Sequence, residues 1–201
     1  LMKRMGVKAL YCKPNTSRRN VQHKVWPYLL RDMRINRANQ VWALDTTYIP
    51  MARVFVYLTA VVDWASRKVL AHRVAITLEA VHAVDALEEA FTRYGLPDIV
   101  NTDQGSQFTA SAFTEAVQSR GIRLSMDGKG SWRDNVFVER VWRSIKYEEV
   151  YLKAYESVSQ ARQSIGAYIQ LYNQRRPHSS LADQTPDEAY FAMLPAIKTA
   201  A

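Results

Sequence analysis

Cysteine is almost missing from this chain: Cys12 is the single one in 201 residues. That excludes an intrachain disulfide framework and fits a reducing compartment. Long apolar runs are missing too. The longest, between Arg53 and Asp63, falls far short of the ~20 residues that a membrane span needs. No charged-then-apolar leader with a small-residue cleavage site opens the chain, which points to the cytoplasm and away from a membrane. Acidic residues are scarce in one region only. The first 40 residues hold a single acid, Asp32, against ten Lys and Arg, while the remaining 161 hold 17 basic and 18 acidic residues.

The net charge of +8 is therefore a basic arm ahead of a near-neutral body. Such an arm suits nucleic acid, because neutralised phosphates supply most non-specific affinity; a solubilising tail is the ordinary alternative. Hydrophobic residues make up 48% and charged ones 23%, a globular balance. The length suits one substantial domain with appendages, large enough to hold a core without metal or disulfide.

Residues 13 to 37 mix proline, asparagine and arginine with little periodicity and read as an extended linker. Two β-branched and aromatic runs, 41–49 and 54–62, predict a hairpin, the second nearly continuous as in a buried central strand. Residues 66–75 predict a third strand. Between 78 and 94 the apolar period changes to three and four, which predicts a helix ended by Gly95 and Pro97. A short strand over 99–102, a helix over 110–120 stopped by Gly121, a strand over 122–126, and helices over about 133–150 and 159–175 complete the order. Three strands, then alternating helices and strands, then closing helices make an α/β order that fits the mixed five-stranded ribonuclease-H-like fold, with helices flanking the sheet. The expected division is a basic arm over 1–38, a core over 39–152, and a C-terminal helix and tail over 153–201.

Three acids stand where a core-building sequence seldom puts them. Asp45 interrupts an apolar strand in VWALDTTYIP, Asp103 follows the short strand in NTDQGSQF, and Glu139 lies in the helix DNVFVERVWRSIKYE. A half-buried carboxylate is costly unless paired, hydrogen-bonded or metal-bound. Singly, each has an ordinary explanation: a backbone contact for Asp45, a turn before Gly105 for Asp103, a solvated helix charge for Glu139. In the expected fold, however, Asp45 on the central strand, Asp103 at the end of its neighbour and Glu139 on a helix packed at that edge converge. Converging hard oxygens suit Mg²⁺ or Mn²⁺, and two such ions serve in-line phosphoryl displacement.

Thirty-five residues separate Asp103 from Glu139, which resembles the D,D(35)E spacing of retroviral integrases and related transposases. The surrounding words RANQVWALDTTYIP, VVDWASRKVLAHRV, YGLPDIVNTDQGSQFT, GSWRDNVFVERVWRSIKYEEVYLKAYES and LYNQRRPHSSLADQTPDEAY resemble the orfB-type transposases of bacterial insertion sequences, family three, from about Leu1 to Tyr190. The resemblance implies that Asp45, Asp103 and Glu139 are catalytic metal ligands for Mg²⁺ or Mn²⁺, two ions in all. It implies DNA as partner, cut at the element's 3′ ends and joined to a target, by a homo-oligomer. The alternatives are a ribonuclease-H-like nuclease that only hydrolyses, or an inactive DNA-binding fragment. Leu44 and Thr46 depart mildly from the residues that flank the first Asp in the family. The family's full enzymes carry a helix-turn-helix region ahead of this core, and LMKRMGVKALYCKP is similar to only its last piece. The resemblance then implies either a fragment or the downstream product of a split reading frame, whose upstream frame would supply a helix-turn-helix partner.

Arg143 and Lys146 lie four and seven positions beyond Glu139, on its helix face. With Arg140, Lys129, Arg18 and Arg19 they are the candidate DNA contacts; a plain Glu–Arg helix pair is the ordinary alternative for Arg143. Asp134 or Ser131 is placed to cap this helix, with Asn135 beside it. Gly105 suits either a close backbone approach or a simple turn. Tyr172, Asn173, Arg175, Arg176, Pro177 and His178 match the family's YNxxRPH word, as a structural clasp or a DNA contact. Cys12 and His23 are too few for the zinc module of retroviral integrases, so no zinc is expected. Trp42, Trp64 and Trp142 read as core residues, and Trp132 as a possible base-stacking ring.

Overall fold

A computed structural model describes residues 26–127 and 136–194. β1 (Val41–Pro50), β2 (Phe55–Asp63) and β3 (Val69–Ala75) precede α1 (Ala80–Tyr94) and β4 (Ile99–Thr102). Then come α2 (Ser106–Thr109), α3 (Ser111–Gln118), β5 (Arg123–Met126), α4 (Val136–Glu148), α5 (Val158–Gln174) and α6 (Pro186–Ala192). The five strands lie in the order β3-β2-β1-β4-β5. β1, β2 and β3 are antiparallel neighbours, while β4 and β5 run parallel to β1. This is the expected ribonuclease-H-like arrangement.

The period of two along β1 decides what each face does. Val41 and Ala43 enter one core with Val138, Val141, Trp142 and Ile145 of α4 and Ile165 and Ile169 of α5. Trp42 and Leu44 enter a second core with Leu87 and Phe91 of α1 and Phe113 and Val117 of α3. With both faces covered, β1 is the most enclosed strand, and its alternation sets Asp45 on the α4 side. Gly95 takes φ +80° at the end of α1 and donates back to the Phe91 carbonyl, which supplies the expected stop.

β3 begins three residues later than expected. Asp63, fully buried, accepts from the N–H and the hydroxyl of Ser66 and from the Asn39 N–H. That turn takes up Ser66 to Lys68, with Arg67 at φ +65°, so pairing resumes only at Val69.

Both sheet edges are covered. At the β5 edge the Met126 N–H donates to the Pro27 carbonyl and the Leu29 N–H to Ser125 Oγ, so the segment ahead of β1 lies against the sheet from Pro27 onward. At the β3 edge the side-chain amide of Asn173 stands in for a neighbouring strand, accepting from the Val69 N–H at 3.0 Å and donating to the Val69 carbonyl at 2.8 Å. Arg176 pairs through both Nε and Nη2 with Glu148 of α4, and the Tyr172 ring meets the His178 ring edge-on at 4.8 Å. The YNxxRPH word is thus a clasp between α5, the β3 edge and α4.

α6 makes a second clasp. Thr185 and Glu188 form a capping box, with Pro186 opening the helix. Lys68, buried, pairs with Asp187 at 3.0 Å and lies under the rings of Tyr94, Tyr190 and Phe191. Asn39 gathers the ends: its N–H donates to Asp63, its amide to the Tyr94 carbonyl, and its oxygen accepts from Trp42 Nε1 and the Tyr190 hydroxyl.

Asn173→Ala strips both ladder groups of Val69 of their partner, each a net loss of order 1 kcal/mol. Thermal unfolding should fall by roughly 4–8 °C for about 2 kcal/mol in a chain of this size. An unchanged melting temperature would show that water replaces the amide without cost.

Candidate active site

The alternation that buries Val41 and Ala43 leaves Asp45 half-buried on the face that α4 covers. Its Oδ1 accepts from the Thr46 N–H at 2.7 Å and its Oδ2 from Trp142 Nε1 at 2.7 Å. Those two donors favour the charged carboxylate, but burial outweighs them. With the negative charges of Asp103 and Glu139 adding to it, the Asp45 carboxyl is pushed up to about 6.

Asp103 is brought to the same level by the parallel pairing of β4 with β1, in which Asn101 lies opposite Ala43. Its Oδ1 accepts from the Gly105 N–H at 2.9 Å. Crowding around the carboxyl raises its pKa, and that N–H works against the rise. Gly105 is required by close approach rather than by its backbone angles: a Cβ there would lie 2.8 Å from Asp103 Oδ1 and equally close to the Gln107 amide.

Glu139 projects from the exposed side of α4. The start of α4 is pinned by Phe137, whose ring meets Trp64 edge-on at 5.1 Å and lies 3.2 Å beneath the Arg67 guanidinium. Val138, Val141 and Ile145 anchor the helix in the core. The three acids thus come from a central strand, the end of its neighbour and a helix, and Asp45 feels both of the others.

The candidate cations separate. Lys146 lies near enough to Asp45 for the carboxylate to raise its pKa, although partial burial, the larger effect, leaves it lowered overall. Arg143 is exposed. Arg140 turns toward the Phe137 ring at 5.8 Å and repels Arg67. Arg18, Arg19, Lys129, Ser131, Trp132, Asp134 and Asn135 lie outside the described residues, as do Cys12 and His23. Trp142 is the functional residue that sequence reasoning passed over. Its ring is core, but its indole N–H holds the first acid, and the one signal was its place three residues after Glu139.

Among the described residues, no three His, Cys, Asp or Glu side chains stand as a ready-made metal cage. The chemistry of the donor set nevertheless fits a hard divalent cation. The three acids offer anionic oxygen, and Asp45, lifted chiefly by burial and further by the charges of Asp103 and Glu139, would be relieved by a nearby positive charge.

Models of the integrase core domain match residues 35–131 and 120–186. The chain is 30% identical over 197 residues to the transposase for insertion sequence element IS904 of Lactococcus lactis, covering 92% of this chain and 77% of that one. It belongs to the orfB-type transposases of insertion-sequence family three, with an integrase catalytic core. It is also 32% identical over 163 residues to transposase InsF for insertion sequence IS3A of Escherichia coli, covering 80% of this chain and 57% of the relative, so it spans little more than half of that length. Among solved structures, the HTLV-2 integrase catalytic core domain in complex with magnesium superposes with a TM-score of 0.64 at 21% identity, over 78% of this chain and 99% of that one. A simian T-cell lymphotropic virus intasome gives 0.70 at 20% identity, over 90% and 64%. Those two likenesses establish the fold of the transposase core. Among the described residues, no helix is long and apolar enough to cross a membrane.

The raised Asp45 has a stability consequence with a definite sign. Its folded pKa of about 6 lies above the ordinary 3.8, so the stability that goes with the neutral acid is present below pH 3.8 and lost as pH rises through about 6. In metal-free buffer, Asp45→Asn should therefore gain on the parent in unfolding free energy by up to about 3 kcal/mol between pH 4 and pH 8. Trp142→Phe, which keeps a ring but removes the donor, should be destabilised more at pH 8 than at pH 4. A difference between Asp45→Asn and the parent that stays the same from pH 4 to pH 8 would mean that the Asp45 carboxyl is not raised.

Proposed function

We propose that this chain is the catalytic core of a transposase that cuts DNA at the ends of an insertion sequence and joins the freed 3′ ends to target DNA. The observation that carries the reading is the placement of Asp45 on the central strand, Asp103 just past the end of the strand paired with it, and Glu139 on the helix whose Trp142 bonds Asp45, in a chain of the insertion-sequence transposase family. That kinship supports DDE-type DNA cleavage and integration as the class of chemistry.

In this reading Asp45, Asp103 and Glu139 hold Mg²⁺ or Mn²⁺, two ions in all. When bound there, the metal supplies charge neutralisation at both the attacking and the leaving oxygen of an in-line displacement. The chain's own residues do the positioning. Thr46 and Trp142 fix the Asp45 carboxylate from two sides, Gly105 holds Asp103 at the end of its strand, and Phe137 and the buried stripe of α4 aim Glu139. Water attacks the phosphodiester at the element's end, the phosphorus–oxygen bond breaks, and a 3′-hydroxyl leaves. That hydroxyl then attacks a target phosphodiester, so one phosphorus–oxygen bond forms as another breaks.

Lys146 and Arg143, on the Glu139 side of α4, serve the DNA backbone beside the reacting phosphate, and Arg140 and Lys129 are further candidate contacts. Arg18 and Arg19 belong to the basic arm, which adds sequence-independent grip. The working unit is a homo-oligomer on DNA in the cytoplasm, with an upstream-frame helix-turn-helix protein as partner for end recognition.

A labelled oligonucleotide carrying the element's end, incubated with Mn²⁺, should give nicked and then branched strand-transfer products. Asp45→Asn, Asp103→Asn and Glu139→Gln should each abolish both, with DNA binding nearly intact. Nicks without branched products would mark a nuclease that only hydrolyses, and binding without either would mark a DNA-binding fragment.

Salt dependence tests the arm. Residues 1–25 carry seven Lys and Arg and no acid, and their removal spares the segment from Pro27 that covers β5. Deleting them should lower the slope of log affinity against log salt, by about 0.9 for each phosphate that the arm neutralises. An unchanged slope would move the DNA surface to the folded core.

A further inference from the structure

Two tyrosines near the end of α4 have no part in the reaction described above. Tyr147 is 66% exposed and Tyr151 56% exposed, and Leu152 beside them is 74% exposed. The two rings stand edge to face, with centroids 5.3 Å apart. They are not placed at random on the helix. Glu139, Arg143 and Tyr147 follow one another at four-residue steps along one strip of α4, and Tyr151, in the turn that follows, carries the strip on through its contact with Tyr147.

The charge of this strip points to the occupant. Among the described residues, Arg140, Arg143 and Lys146 join no salt bridge. The acids at the helix end are already engaged: Glu148 by Arg176 and the Tyr168 hydroxyl, Glu149 by Lys153, Tyr155 and Ser164. Cations outside any ion pair, followed along the helix by exposed rings, match a polymer that carries both anionic phosphates and flat bases, where phosphates meet the cations and bases stack on the rings. Paired bases in an intact duplex have no free face, so the match is to unpaired ones. Eight residues of helix rise put Tyr147 roughly 12 Å from Glu139 along the axis, which is about three to four nucleotide steps of one DNA strand.

We infer that Tyr147 and Tyr151 form a stacking platform for unpaired bases of the DNA strand engaged at Asp45, Asp103 and Glu139, a few nucleotides from the scissile phosphate. The inference rests on the function proposed above, to which it adds the form of the DNA: a strand with an unpaired stretch beside the cut.

The test uses the full chain carrying Glu139→Gln, so that DNA is bound but not consumed. The probes are a blunt duplex and the same duplex with a single-stranded tail of about six nucleotides, with 2-aminopurine placed in turn at each tail position. The parent should prefer the tailed duplex and quench 2-aminopurine at one or two tail positions. Tyr147→Ala with Tyr151→Ala should lose about tenfold or more of the tailed affinity and the quenching, with blunt-duplex affinity unchanged. Tyr147→Phe with Tyr151→Phe should restore both, because stacking needs the ring and not the hydroxyl.

A parent indifferent to the tail overturns the platform. So does an alanine variant that keeps the preference, or one that loses tailed and blunt affinity equally. An alanine variant that sediments as a smaller species without DNA assigns the rings to an interface between copies and overturns it too. The reaction assignment stands or falls separately: a Glu139→Gln chain that still cuts refutes that assignment, whereas cutting by the unmodified chain without tail preference refutes only the platform.

Discussion

An acid on a strand buried on both faces has to be compensated, and that requirement at Asp45 organises the structure around it. Strand pairing does not meet the need, because a carboxylate accepts hydrogen bonds and the strand spares it a single N–H. The fold supplies one local donor, the Thr46 N–H, and one distant donor, the Trp142 indole. It then adds two further acids, whose charges push the Asp45 pKa up rather than down. A protein shaped only for stability would have put a cation there or an apolar residue. Lys146 approaches, but its own partial burial opposes its charge. The balance is left short of positive charge, a condition that a divalent cation would relieve.

The position of Glu139 depends on a helix, and that helix depends on the C-terminal segment. α4 is held at its start by Phe137 between Trp64 and Arg67, and at its end by Glu148, which Tyr168 of α5 and Arg176 just beyond it grip. α5 in turn is fixed to the β3 edge by Asn173. A chain of contacts therefore runs from the sheet edge through the YNxxRPH word to the end of the helix that carries the third acid. Residues far from the site in sequence matter to it through rigidity, since a misplacement of about 1 Å in a reacting geometry is costly.

Much of this was legible in the sequence because its signals are local or periodic. The change from period two to three and four separates strands from helices, and the acid inside VWALDTTYIP announces itself by breaking an apolar run. The late start of β3 has a signal of its own: an Asp followed three residues later by Ser closes a turn unaided. α6 is readable too, since Thr185, Pro186 and Glu188 spell a capping box with proline in the first turn. The clasp is not readable. Asn173 meets Val69 across 104 positions and Arg176 meets Glu148 across 28, and nothing local distinguishes a clasping Asn from a solvated one. The same holds for Trp142, whose partner lies 97 residues away. Helical spacing gives its side of α4 but not that its N–H finds a carboxylate.

Charge is divided along the chain in a way that separates grip from chemistry. The first 25 residues hold seven cations and no acid, and the rest of the chain comes close to neutral. If the core itself carried the excess, its potential would hold the three acids more firmly ionised, and would weaken the pull on a divalent cation. Placing the sequence-independent attraction on an arm lets the core keep its negative site. The arm joins the described fold at Trp26, next to the segment that covers the β5 edge. Met126 of that edge lies opposite Thr102, one residue before Asp103. The root of the basic arm is thus anchored two strands from Asp45, at the end of the sheet where the acids converge. In the proposed function, that attachment puts the origin of the sequence-independent grip at the same end of the sheet as the carboxylates, and leaves Arg143 and Lys146 of α4 to meet the backbone beside them.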